Sequence, residues 1–322
     1  MKSKLFTVLR IFVSAFLIGL LFWLMRDSLP SIYTAIKSAN RPLLLLGFLV
    51  YASTSILIGF RLQKVLSVQE INLSVKESTY LTFIGYFFNN FMPTSFGGDV
   101  LKAYYAGKKS NKKAGAFAGV FMDRVLALIP FTFIPAITIT FFAHKINNRL
   151  IVAAVYLLFV GCMVFVWLLL HKKTAKYLAF IIEPFKEKFW YEKIKSGYEF
   201  LNLYSRHKVV LTWSLILSAT AQILSIVATY LYARALGVDY VSIGIFFIIV
   251  PIVAIVTLTP SLNGLGVREG AFVYLLKAYM PSEKAFALSI LVLASLILFS
   301  IFGGCVYGFK KSIFTLKAEE AK

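Results

Sequence analysis

The sequence predicts an all-α integral membrane protein of about six full spans plus two re-entrant broken-helix hairpins, set in two inverted-topology repeats. Three observations predict it. Hydrophobic residues make up 59% of the chain against 15% charged, with a mean hydropathy of +0.80, which is far from the composition of soluble domains. Apolar runs of span length recur along almost the whole chain. Two of these runs are interrupted by Pro and Gly together with an acidic residue.

The first apolar run, Leu5 to Met25, follows Lys2 and Lys4 as a signal peptide would, but it is long and no small-residue cleavage site follows, so it is read as a retained span. The next spans are Pro42 to Phe60, Gly115 to Phe142, Leu150 to Leu170, Val209 to Tyr232 and Lys284 to Phe309. Each is long enough for a hydrocarbon core of about 30 Å. Between Leu170 and Val209 lies a basic connector, 171–208, that mixes Lys and Glu with Phe185, Trp190 and Tyr198 and is broken at Pro184. It is expected either to lie on the cytoplasmic face as amphipathic helix or to be a plain linker. No separate soluble domain is expected within residues 1–322.

The first interrupted run extends from Thr79 to Met92, breaks at Pro93 to Asp99, and returns from Asp99 to Ala106. Its legs would measure about 21 Å and about 12 Å as helix, too short to cross singly. The second enters from Val241 to Thr259, breaks at Pro260 to Gly266, and returns from Val267 to Tyr279, a leg of about 20 Å. Length leaves this one open between a span and a re-entrant hairpin, and charge favours re-entrant hairpins. If both segments return to the side they entered, most Lys and Arg fall on the side of the N-terminus, as cytoplasmic loops require. The N- and C-termini are then cytoplasmic, and residues 1–149 and 150–322 read as the same series of elements in opposite orientation. Inverted repeats with broken helices at matching positions are how transporters build a site near the bilayer midplane.

The net charge of +20, from 34 Lys and Arg against 14 Asp and Glu, follows from that topology and calls for no nucleic-acid partner. Cys162 and Cys305 lie singly in apolar spans, where cysteine acts as a small hydrophobe. His144, His171 and His207 fall at span ends or in loops. The chain contains no His-Glu-x-x-His, Cys-x-x-Cys or Walker motif, so no metal or cofactor is expected, and any movement it catalyses would run downhill or with an ion. Gly264 to Gly270 resembles a dinucleotide fingerprint but has the wrong spacing and no preceding strand.

Ionisable residues inside apolar segments are expensive, costing about 2.5–3.5 kcal/mol each at the bilayer centre, and therefore face an interior. Here they are Asp99, Asp123, Arg124, Arg268 and Glu269, with Lys102 and Arg10 nearer an edge. At each break, Gly97 and Gly98, or Gly264 and Gly266, free the backbone, and a helix N-terminus with open amides results. Arg268 and Arg124 offer forks for phosphate oxygens, while Asp99, Asp123, Glu269 and Lys102 are candidates for gating or ion pairing. Asp123 and Arg124 are neighbours and diverge by about 100°, so each needs another partner. Arg124 is expected to pair with Asp99 or Glu269, and Asp123 with Lys102 or Arg268. These contacts are either salt bridges that only hold helices together or a headgroup trap that a phosphate competes for. Asn89, Asn90, Asn263 and Gln222 are expected chiefly to bond between helices; Asn90 and Asn263 also stand as headgroup contacts.

In Asn90-Phe91-Met92-Pro93-Thr94, Gly97-Gly98-Asp99, Lys102-Ala103-Tyr104, Asp123-Arg124 and Pro260 to Gly270, the sequence resembles the lysylphosphatidylglycerol synthase transmembrane region family of flippase-like membrane proteins, over essentially its whole length. The resemblance implies translocation of a membrane lipid, of phospholipid or polyprenyl-phosphate type, in a prokaryotic inner membrane. Bifunctional members of that family carry a cytosolic synthase domain. This chain ends soon after Phe309, so it is expected to be a non-enzymatic lipid translocase, possible partners including a separate lipid synthase. The alternatives are a membrane-embedded lipid-modifying enzyme using Asp99, Asp123 and Glu269 as acid, base or metal ligands, and a non-transporting scaffold for a lipid enzyme.

Overall fold

The computed structural model describes residues 29–91, 97–142, 149–170, 202–257 and 264–310, together with residues 19, 23 and 26. The first predicted span therefore lies outside the described residues but for two positions, and the connector from 171 to 201 and Asn263 lie wholly outside them. The described residues form ten α-helices: α1 (Leu29–Lys37), α2 (Arg41–Ser67), α3 (Val75–Phe91), α4 (Gly97–Ser110), α5 (Lys113–Phe142), α6 (Arg149–Leu170), α7 (Lys208–Ala235), α8 (Ile243–Val256), α9 (Val267–Leu276) and α10 (Ser282–Lys310). A short 3₁₀ turn, Leu203–Arg206, leads into α7.

Five of them, α2, α5, α6, α7 and α10, are long and apolar enough to cross a membrane. They coincide with the five predicted spans that fall within the described residues. The chain is an all-α, multi-pass membrane protein.

Local chemistry sets the helix ends. Asn40 caps α2 by accepting from the Leu43 amide at 3.2 Å, with Pro42 in the first turn. Before α3, Ser74 Oγ accepts from the Glu77 amide at 3.2 Å while Glu77 accepts from the Ser74 amide at 2.9 Å. This reciprocal cap starts the helix at Val75, four residues ahead of the expected Thr79. The first hairpin is consequently longer than the sequence indicated, with legs of 17 and 14 residues, about 26 Å and about 21 Å. The second is shorter. Ser242 caps α8, which runs 14 residues, and α9 closes after 10 residues where the Tyr279 and Met280 amides both turn back to Leu276.

Both interrupted segments fold back on themselves. In the first, α3 and α4 touch backbone to backbone: a Cβ on Gly98 would lie 2.1 Å from the Gly85 carbonyl oxygen. Glu77 and Lys109 pair across its mouth. At that same mouth α2 ends and α5 begins, with Gly115 packed on Gln69 and Lys112 paired with Glu70. In the second, Gly264, at φ +78°, seats on Thr257, and Lys284 donates to the Gly237 carbonyl at 3.1 Å across the mouth, where α7 ends and α10 begins.

The longest helix interface joins α2 to α7, and they run antiparallel. The Asn40 amide donates to the Ala235 carbonyl at 2.9 Å at one end, and the Tyr204 hydroxyl to the Val65 carbonyl at 3.0 Å near the other. The two hairpin mouths therefore sit at opposite ends of this pair. Each entry leg leans on the span that follows the other hairpin: α3 on α10, and α8 on α5. The α3–α10 contact is close because Gly303 has no side chain; a Cβ there would lie 2.0 Å from the Phe83 carbonyl oxygen. The largest buried cluster, containing Phe246, Phe272, Leu276 and Phe286, packs the second hairpin against α7 and α10.

Gly98→Ala is expected to force α3 and α4 apart and to cost roughly 1–3 kcal/mol, the usual penalty of overpacking. Gly161→Ala, where nothing lies within 4 Å of the added carbon, is expected to leave stability unchanged. Thermal unfolding of the two variants in one detergent checks both.

Candidate functional site

Between the hairpins, α2, α3, α4, α5, α7, α8 and α10 line a partly open cavity of about 300 Å³. Its polar side is built by Arg61, Asp99, Lys102, Asp123 and Arg124 with Asn89, Ser218 and Gln222; Tyr51, Tyr86, Phe131 and Phe299 supply an aromatic side. Phe299 stands 5.5 Å from Tyr51 and 6.3 Å from Tyr86, ring centre to ring centre, so that wall is already packed.

Asp123 and Arg124 lie about three turns into α5 and diverge as helix geometry requires. Arg124 turns to the first hairpin, where its Nε donates to Asp99 Oδ2 at 2.9 Å and its Nη2 donates to the same oxygen. This is one of the two pairings expected for it. Asp99 also accepts from Lys102 Nζ at 3.2 Å, one turn along α4, so a single carboxylate holds two cations. The Lys102 stem reaches Asp99 by crossing the bare face of Gly85: a Cβ there would meet Lys102 Cε at 2.4 Å. Asn89 steadies the start of α4 by accepting from the Gly98 amide at 2.8 Å.

Asp123 departs from expectation. Its partner is neither Lys102 nor Arg268 but Arg61, which grips it with both nitrogens of a fork, Nε to Oδ1 at 2.7 Å and Nη2 to Oδ2 at 3.0 Å. The remaining nitrogen, Nη1, donates to Ser218 Oγ at 3.0 Å, tying α2, α5 and α7 together. The reason is direction: with Arg124 aimed at α4, its neighbour faces the α2–α7 seam. Only 7% of either side chain in this pair is exposed. Sequence reasoning missed Arg61 because the apolar run was ended at Phe60. The signal was present, since Leu62, Val65 and Leu66 continue the buried face and carry the helix to Ser67.

Arg268 and Glu269 are buried at the start of α9, but they are not among the residues lining the cavity. They satisfy each other and the backbone: Arg268 Nε donates to Glu269 Oε1 at 3.2 Å, and Glu269 Oε2 accepts from the Gly266 amide at 2.6 Å. Gly266, at φ +80°, and Gly264 make the turn that allows this. Gly97 and Gly98 are buried in the first turn of α4, and half-buried Asn90 is likewise outside the lining, where its neighbour Asn89 stands instead. The structure thus gathers Asp99, Lys102, Asp123 and Arg124 around one cavity and leaves the second-hairpin pair outside its lining. It adds Arg61 and Ser218, and it brings Gln222, expected to bond between helices, to the cavity with a buried Nε2 that has no hydrogen-bond partner among the described residues.

The family model described as Lysylphosphatidylglycerol synthase TM region matches residues 7–303. No curated protein matches the chain.

Removing one partner of a buried ion pair strands the other, at about 3–5 kcal/mol, whereas replacing both with apolar groups can be close to neutral. Arg61→Met and Asp123→Leu singly are therefore expected to unfold the protein at lower temperature, and the double variant to recover most of the loss. Unfolding curves for the three variants and the native chain provide the check.

Proposed function

Because the chain belongs to the lysylphosphatidylglycerol synthase TM region family, we propose that it is a lipid translocase, moving a lipid with a phosphate headgroup between leaflets through the cavity between its hairpins. The observation that carries this proposal is the partly open cavity with charged groups on its wall. Charged groups on a cavity wall in an apolar bundle are expensive to maintain, and they give a hydrated headgroup the contacts that hydrocarbon cannot. At about 300 Å³ it lies at the small end of ligand cavities, suited to a headgroup whose chains stay in lipid.

Residues 1–149 and 150–322 act as two inverted halves, each contributing one re-entrant hairpin, in an inner membrane of a prokaryote with both termini cytoplasmic. Support comes from the mouths opening at opposite ends of the α2–α7 pair and from the reciprocal α3–α10 and α8–α5 contacts. The headgroup phosphate binds Arg124, whose side chain is the most exposed of the charged cavity residues at 33%, and competes with Asp99 for it. Displacing Asp99 releases α4 from α5, so that the bound state favours a hairpin position the empty state does not. Arg268, beside Glu269 at the tip of the second hairpin, is a second phosphate contact reached after that shift. Gly97, Gly98, Gly264, Gly266 and Asn90, which flank the two breaks, are proposed to line the path. A separate synthase would supply the lipid.

Transfer rather than chemistry is favoured because each of the three carboxylates Asp99, Asp123 and Glu269 is bonded to a cation, leaving none placed as a free acid or base.

In proteoliposomes, headgroup-labelled phospholipid is expected to change leaflet faster than in protein-free vesicles. Arg124→Gln is expected to lose about tenfold or more of that rate, the worth of one charge-assisted hydrogen bond. Arg234→Gln, at an exposed pair with Asp239 outside the cavity, is expected to keep it. Equal rates with and without protein for every lipid tried would sink the proposal.

A further inference from the structure

We infer that the cavity has a second, uncharged subsite, built on Gln222 and Thr54, that takes an alcohol hydroxyl carried by the headgroup beyond its phosphate. The inference rests on the cavity being the headgroup site and adds the chemical class of the group esterified to that phosphate.

The cavity wall changes character along the bundle. α2 ends at the first mouth, α5 begins there, and Tyr204, just ahead of α7, is bonded to Val65 at the same end. Passing away from that mouth, the lining runs from Arg61 to Thr54 on α2, from Asp123 to Phe131 on α5, and from Ser218 to Gln222 on α7. The charged lining residues of these helices stand in the first stretch, and the second stretch is uncharged. The register of α2 against α7, fixed by Asn40 on Ala235 and Arg61 on Ser218, sets Thr54 level with Gln222. About one turn of helix separates Gln222 from Ser218, and so from the level of the Arg61–Asp123 pair.

Two polar groups in the uncharged stretch are open to a ligand. Gln222 is 6% exposed, and its Nε2 has no hydrogen-bond partner among the described residues. Ser55, Gln63, Ser78 and Ser214 also carry a buried atom in that condition, but Gln222 lines the cavity and they do not. The last side-chain bond of glutamine is loosely held, so the amide can turn to the space beside it. Thr54, 5% exposed, spends its hydroxyl hydrogen on the Tyr51 carbonyl at 2.6 Å and can therefore only accept. A group that serves both must accept from an amide and donate to a hydroxyl oxygen. An alcohol hydroxyl does both. An ammonium has no lone pair, an ester carbonyl has no hydrogen to donate, and a methyl group has neither function. Phe299, packed on Tyr51 with ring centres 5.5 Å apart, gives the carbon skeleton of the alcohol an apolar wall.

Three short-chain phospholipids that differ at one position test this. Phosphatidyl ethylene glycol, phosphatidylpropanol and phosphatidylethanolamine end in hydroxyl, methyl and ammonium on the same two-carbon arm. In calorimetric titration of the detergent-solubilised full chain, the hydroxyl lipid is expected to bind about tenfold or more tightly than the methyl lipid of equal charge. It is also expected to bind more tightly than the ammonium lipid. Gln222→Leu is expected to bind the hydroxyl and methyl lipids equally while keeping the native affinity for the methyl lipid, and Thr54→Val to narrow the gap. Equal affinities for those two lipids in the native chain, tightest binding of the ammonium lipid, no measurable binding of any of the three, or a hydroxyl preference that survives intact in folded Gln222→Leu overturns the inference. Where Gln222→Leu does not fold, Thr54→Val carries the same comparison. The glycerophosphodiester of ethylene glycol, the same headgroup without chains, separates the sources: binding as tight as the lipid's assigns the subsite to a soluble phosphodiester and overturns the lipid class. Hydroxyl-dependent binding without translocation would defeat the proposed translocase alone, and translocation of all three lipids at one rate would defeat this inference alone.

Discussion

Hydrocarbon cannot hydrogen-bond a peptide group, so a membrane protein that interrupts a helix must wall the interruption off from lipid. The rest of this structure follows from that constraint. Two interrupted segments need a bundle to surround them, and the antiparallel α2–α7 pair is its spine. The breaks in turn require glycine, because hairpin legs turn tightly and lie close, and they bring helix N-termini into the interior. Asp99 and Glu269, each in the first turn of its return helix, answer those ends, and cations then answer the carboxylates. The polar interior is thus a chain of compensations that begins with two broken helices.

Much of this was legible in sequence, because hydropathy reports lipid exposure directly. The spans at α2, α5, α6, α7 and α10 emerged from apolar run length, and Pro93 and Pro260 marked the breaks. The ends were less legible. Helix caps such as Ser74 with Glu77, and Ser242, are short-range contacts that override an apolar count, so the first hairpin is longer and the second shorter than expected. Arg61 was hidden for a related reason: a charged residue close to a run's edge looks like a boundary, although here the helix continues past it for more than a turn.

Pairing was the least legible. Asp99, Lys102, Asp123 and Arg124 were identifiable as interior charges from the cost of burying them, and divergence of adjacent helical residues showed that Asp123 and Arg124 need separate partners. Which partner each takes depends on how helices distant in sequence are rotated, and no local pattern carries that. Arg268 shows the converse case: its burial was foreseeable, but its engagement with its own neighbour Glu269, through the turn that Gly264 and Gly266 permit, arises from backbone conformation.

The Lys102 stem occupies the volume that a side chain on Gly85 would need, and Gly85 is also the surface on which Gly98 rests. Helix spacing and electrostatics are therefore written into the same few atoms. A lineage cannot enlarge position 85 without shifting an ammonium group, and cannot shorten position 102 without opening a void between the hairpin legs. Such a linkage makes the two sites drift together or not at all, and it confines the routes by which a descendant could acquire a differently charged chamber to positions on α5 and α2 that leave the hairpin seam intact.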